Sequence, residues 1–146
     1  MRRIALVAAV AAAAVLLPSR ARAQDQWESQ VRSLLEQGGQ QLSSHGYTMT
    51  HRIYTGALNN GARESVQVSL EAGKEYQLVG ACDTDCSDLD FVLFDGNGRQ
   101  LDSDVLDDDV PIVSVTVSQS GSFTLQVMMV TCTADPCRYG VGVFGK

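Results

Sequence analysis

Ten aspartates fall between residues 83 and 109: Asp83, Asp85, Asp88, Asp90, Asp95, Asp102, Asp104, Asp107, Asp108 and Asp109. Arg99 is the one base among them. Carboxylates crowded this closely repel one another unless they are dispersed in space or neutralised, and hard oxygen ligands of this kind suit Ca²⁺. Residues two apart on a strand share a face, so Asp88 with Asp90 and Asp102 with Asp104 are the candidate metal ligands. Asp107-Asp108-Asp109 adds a loop cluster. The same residues have another use: Asp favours turns through its local backbone hydrogen bonds and solubilises a rim. Asp95-Gly96-Asn97-Gly98 lacks the later ligand spacing and closing Glu of an EF-hand, and it predicts a hairpin turn instead.

The second reactive set is Cys82, Cys86, Cys132 and Cys137. An even number of cysteines in an exported chain implies two disulfides. A zinc site would have only His45 and His51 to help it. Of the three possible connectivities, the local pairs Cys82–Cys86 and Cys132–Cys137 are favoured, because each closes a short loop between two strand-like segments. Crossed pairs remain compatible with the sequence. Local bridges gain little chain entropy, so they would mainly fix loop shape.

Nucleophilic catalysis finds little support. No Gly-x-Ser-x-Gly elbow is present, oxidised cysteines offer no thiolate, and His45 and His51 have no base-orienting group beside them. No Gly-rich phosphate loop joins a strand to a helix. A small secreted hydrolase working through carboxylates of the Asp-rich loops is the alternative to a non-catalytic chain, since carboxylate separation is a property of structure.

The N-terminus explains why export is expected. Arg2 and Arg3 precede an apolar run over residues 4–17, Pro18 breaks the run, and Ala21-Arg22-Ala23 offers small residues to a signal peptidase. Residues 1–23 are therefore expected to be a secretory signal peptide, with the mature chain starting at Gln24 in the periplasm or outside the cell. The apolar run is too short to span a bilayer stably, so no membrane span is expected in the mature form. Losing Arg2, Arg3, Arg20 and Arg22 leaves seven basic residues against seventeen acidic ones, a net charge of −10. Such a surface repels nucleic acid and anionic membranes.

The elements that position these groups follow from periodicity. Residues 25 to about 44 predict a helix, with Trp27, Val31, Leu34, Leu35 and Leu42 near one face. Asp25 with Glu28 forms a possible capping box. Gly38-Gly39 interrupts the pattern, and His45-Gly46 is the latest stop. From Tyr47 onward the period becomes two: Val66/Val68/Leu70, Tyr76/Leu78/Gly80, Leu89/Phe91/Leu93, Val113/Val115/Val117, Phe123/Leu125/Val127/Met129 and Tyr139/Val141/Val143. Turn residues such as Asn59-Asn60-Gly61 and Ser120-Gly121 punctuate these runs. An N-terminal helical segment (24–47) and an all-β domain (48–146) are expected, the latter an antiparallel sandwich of seven or eight strands. Most aromatic residues fall on the inward phase, which assigns them to the core rather than to a sugar-binding face.

The order of these segments resembles a known family. Gly56-Ala57-Leu58 is followed by Leu70-Glu71-Ala72-Gly73 and Glu75-Tyr76-Gln77-Leu78. The strand Asp88-Leu89-Asp90-Phe91-Val92-Leu93-Phe94-Asp95 comes next with Asn97-Gly98, and then residues 120–127, Ser-Gly-Ser-Phe-Thr-Leu-Gln-Val. This resembles the bacterial pre-peptidase C-terminal domain over about residues 52–146. The resemblance implies a jelly-roll-like sandwich acting as a non-catalytic accessory module, sometimes calcium-stabilised, with an extracellular or envelope protein or polysaccharide as partner. The chain departs from that setting in having no catalytic domain before the sandwich, and its cysteines look like a subgroup feature.

Overall fold

A computed structural model describes residues 20–146; most of the expected leader lies outside the described residues. One helix and nine strands follow in order: α1 (Arg20–Ser43), β1 (Thr48–Met49), β2 (Tyr54–Leu58), β3 (Arg63–Leu70), β4 (Glu75–Cys82), β5 (Cys86–Phe94), β6 (Gln100–Asp104), β7 (Ile112–Thr116), β8 (Gly121–Cys132) and β9 (Cys137–Gly145). Alternating apolar residues drive the strands into two antiparallel sheets. The first has the order β1-β9-β4-β7, with β2 also on β9, and the second the order β3-β8-β5-β6. β1 pairs with Phe144 and Gly145, and β2 pairs with the earlier part of β9 from Cys137 to Val141. They are two pieces of one edge strand. Counted so, eight strand positions take up the order of a jelly roll, two Greek keys folded face to face.

The core between the sheets is built from the inward phase of each strand. Leu78, Val113, Val141 and Val143 meet Phe91, Leu93, Leu125 and Val127, all fully buried. A second, smaller core lies on the outer face of the first sheet. There Val31 and Leu35 of α1 pack on Val79, Ala81, Phe144 and Tyr47. The helix makes a third layer, so the central strands β4 and β9 are buried on both faces. Among the described residues no helix is long and apolar enough to cross a membrane.

The helix departs from expectation in three places. The chain is already helical at Arg20, the first described residue, so Asp25 lies inside the helix rather than at its N-cap; the Arg, Ala and Gln residues just before Asp25 are good helix formers. Gly38-Gly39 does not end it. A Cβ on Gly39 would stand 2.7 Å from the Phe144 ring, so the glycine allows close approach of helix to sheet. Leu34 is 42% exposed and points away from the seat that Val31 and Leu35 occupy. The helix ends where His45-Gly46 predicts. Tyr47 N–H donates to Leu42 C=O (3.2 Å) and Gly46 N–H to Ser43 C=O (3.1 Å), with Gly46 at φ 85° and Leu42 packed on the Tyr47 cluster. This is a Schellman cap with its hydrophobic contact.

Gly140 on β9 is the matching seat on the sheet. A Cβ there would lie 2.5 Å from Val31 Cγ1. Gly140→Ala is expected to lower stability by about 1–3 kcal/mol through overpacking. Adding Val31→Ala should recover part of that loss, because the deleted methyls free the space the new Cβ needs. Denaturant unfolding of the two single variants and the double variant measures this coupling; strict additivity would place the helix elsewhere.

Candidate functional site

The antiparallel order gathers four loops at one end of the sandwich: 59–62, 83–85, 105–111 and 133–136. Cys82 is bonded to Cys86 across the second (Cα–Cα 6.0 Å) and Cys132 to Cys137 across the fourth (Cα–Cα 5.8 Å). Polar bonds then tie loop to loop. Asn60 N–H donates to Asp135 Oδ1 at 2.6 Å, and Asn60 Oδ1 accepts from Cys132 N–H at 2.8 Å. Thr133 N–H donates to Asp85 C=O at 2.8 Å. Asp83 is 4% exposed, and its Oδ2 accepts the Arg138 N–H at 2.7 Å, while its Oδ1 has no partner. Hydrogen-bonded backbone of this kind holds loops that carry little regular structure.

Asp102 and Asp104 sit where the two sheets meet. In register they lie opposite Leu93 and Phe91, the core-facing phase of β5. β6 ends the second sheet and β7 the first, so neither has a ladder partner on its outer side. Asp102 Oδ2 accepts Ser114 N–H at 2.7 Å, and Asp104 Oδ2 accepts Ile112 N–H at 2.8 Å. Two carboxylates two residues apart thus satisfy two β7 amides two residues apart. They close a seam that would otherwise leave open edges. Asp104 Oδ1 also accepts Leu106 N–H at 3.3 Å.

Asp88 and Asp90 lie on β5, the strand next to that seam. Asp90 lies opposite Met128, on the face away from the core, and the register shifts at Asp88. Asp88 Oδ1 is buried without a partner. Burial first, and then the negative charges of Asp107 and Asp108, push the Asp88 carboxyl above the usual range. Asp90 is raised by burial, then by Asp88, Asp104 and Asp108. The candidate ligands therefore divide into a hydrogen-bonded pair and a repelling pair. Among the described residues no three His, Cys, Asp or Glu groups are gathered around one point as a metal cage. No ion pair found among the described residues involves an aspartate of this end.

The other candidates lie elsewhere. Asp95 serves its own hairpin turn: its Oδ1 accepts Arg99 and Asn97 N–H groups at 3.0 and 2.9 Å, and Arg99 Nε donates to its Oδ2. The Arg99 backbone bond, ahead of the other contacts, holds this carboxyl below the usual range. A groove of about 330 Å³ runs beside that turn at the opposite end, lined by Asn97, Leu101, Val115 and Gln119 among others. His51 is engaged with Ser69 C=O at 2.9 Å and Thr50 Oγ1 at 2.8 Å, away from the aspartate-rich end.

Sequence reasoning missed the residues that dominate the loop between β6 and β7. Val105 and Leu106 are 59% and 67% exposed, and Val110 and Ile112 are exposed with them. The only available signal was an apolar pair placed off the strand period between Asp104 and Asp107.

Two outcomes follow for the aspartates. Asp102→Ala removes a charged acceptor from a strand amide and is expected to cost about 1–2 kcal/mol, with faster hydrogen exchange at Ser114 N–H. Asp88 and Asp90 bind a proton more tightly in the folded than in the unfolded chain. Their contribution is thus favourable below the unfolded carboxyl value and is lost as pH rises through the folded one. Asp88→Asn should therefore melt above the parent chain at neutral pH, and the gap should close as pH falls toward 4. A melting temperature equal to or below the parent at pH 7 would contradict this.

No protein-family model matches the chain, and no curated protein matches it. Two of the solved structures it resembles are a periplasmic lysozyme inhibitor of g-type lysozyme, PliG from Aeromonas hydrophila, and the pre-peptidase C-terminal domain of collagenase from Bacillus anthracis. The first is 12% identical with a TM-score of 0.50, covering 65% of this chain and 85% of that one. The second is 12% identical with a TM-score of 0.49, covering 63% and 87%. At these identities the likeness concerns the fold alone, a β-sandwich.

Proposed function

We propose that this chain is an exported, non-catalytic binding module, directed to the periplasm or beyond by residues 1–23 and cleaved before Gln24. Its partner is an extracellular or envelope protein, and it is met by the disulfide-braced end of the sandwich. The observation that carries this reading is the convergence of four loops at one end: two are closed by disulfides, three are hydrogen-bonded to one another, and the fourth, 105–111, is held against β4 and β5 and presents large apolar side chains to water. Loops held on a rigid sandwich are a recurrent binding platform. The inhibitor from A. hydrophila, which its name places in the periplasm against a lysozyme, is a similarly folded protein with a protein target and lends support to a protein partner. In the exporting cell, a photo-crosslinking residue at Asn60 should capture a partner, and one at Gln67 on the outer sheet face should not. Capture from Gln67 alone, or a protein retained in the cytosol with its leader intact, would overturn the proposal.

The aspartates support a second, smaller reading. Asp88 and Asp90 pay for their burial beside Asp107 and Asp108, and Ca²⁺ drawn to this group would relieve the repulsion once the carboxylates turn toward a shared point. At free Ca²⁺ about 100 times Kd the native state gains about 2.7 kcal/mol. Melting in millimolar Ca²⁺ should then exceed melting in NaCl of equal ionic strength, and Asp88→Asn with Asp90→Asn should abolish the difference. Identical curves would leave these residues as turn and rim charges.

A further inference from the structure

We infer that the loop between β6 and β7 is an anchor for a cationic protein surface, inserting Leu106 into an apolar socket while Asp107 and Asp108 meet arginines or lysines around it. This rests on the binding-module reading and names the chemistry of the partner. Three observations carry it.

The first is exposure without disorder of the backbone. Leu106 and Val105 stand in water, yet the segment beneath them is pinned almost residue by residue. Leu106 N–H donates to Asp104 Oδ1. Asp108 N–H donates to Leu106 C=O at 2.8 Å, and Asp108 C=O accepts from Leu89 N–H at 3.0 Å. Val110 N–H donates to Asp108 Oδ1 at 3.0 Å, and Pro111 C=O accepts from Gly80 N–H at 2.8 Å. A Cβ on Gly80 would strike the Pro111 ring at 2.7 Å, so the loop is also seated against β4. An apolar side chain held out by a fixed backbone loses little entropy on binding.

The second is charge. Asp107, Asp108 and Asp109 flank the apolar tip, all exposed, and no cation pairs with them among the described residues. Burial against a neutral or acidic surface would strand these carboxylates; a basic rim offsets their desolvation and speeds encounter. The third is the same repulsion seen from within: Asp107 and Asp108 raise the Asp88 carboxyl, so cations placed by a partner relieve a strain present in the free chain. An apolar centre with a charged rim is also the usual anatomy of a protein interface.

The test uses the mature disulfide-bonded chain as bait for a displayed random-peptide library, with Leu106→Ser and Asp107→Asn/Asp108→Asn variants and phosphatidylcholine vesicles as further arms. The expected result is enrichment of peptides that pair arginine or lysine with a large apolar residue. Their binding should fall at least tenfold on Leu106→Ser, fall on the double Asn variant, and weaken with added salt. Leu106→Ser should melt no lower than the parent, since the side chain is 67% exposed, which separates lost contact from lost fold. Peptides that are acidic or indifferent to Leu106 but lost on substituting Asn60 would overturn this inference and leave the binding-module reading standing. No enrichment, or enrichment that survives changes at both places, would count against both. Vesicle binding by the parent chain would overturn the protein partner in favour of a lipid surface.

Discussion

The seam between β6 and β7 is the constraint on which the rest of this account depends. A jelly roll leaves the two outer strands of each sheet with unpaired backbone, β6 and β7 among them, and an open edge invites unwanted pairing. Here Asp102 and Asp104 supply the missing acceptors for Ser114 and Ile112. The match works because both strands repeat every two residues and run antiparallel. It closes the sandwich with side chains and spends two of the four most ligand-like carboxylates on backbone amides. It also fixes the two ends of the loop that carries Leu106.

The same economy appears on the opposite face of the first sheet. β4 and β9 are covered by the second sheet on one side and by α1 on the other. That double burial requires apolar residues on both phases of β4, and it requires glycine where the helix comes closest. Gly39 and Gly140 are small because Phe144 and Val31 occupy the space their side chains would take. The fold is thus three layers thick at its helical face and braced by covalent links at one end.

Much of this was legible in the sequence. The change from a 3.6 to a 2.0 period at Tyr47 separates helix from sandwich, and the alternation of Leu89, Phe91 and Leu93 gives the inward face of β5. Gly46 marks the helix end because only its positive φ makes the Schellman cap cheap. Other features depend on long-range contacts that a local pattern does not encode. Gly38-Gly39 looks like a break until Phe144 is placed beside it. Asp102 and Asp104 look like ligands until β7 is seen to present its amides to them. Leu106 looks like another buried leucine, and only the closing of the seam pushes it into water. Asp88 and Asp90 were recognisable as a charge problem, since their crowding is written in the chain.

An anchor held ready for a partner requires the loop over Asp104–Ile112 to be rigid in the free protein. Backbone ¹⁵N relaxation of the disulfide-bonded chain over residues 24–146 measures that directly. Order parameters for the amides of Leu106, Asp108 and Val110 near 0.85, equal to those of the strands, are the predicted result. Values below about 0.6 would mean that the hydrogen bonds to Asp104 and Asp108 do not persist in solution, and an anchor held ready for a partner would be excluded.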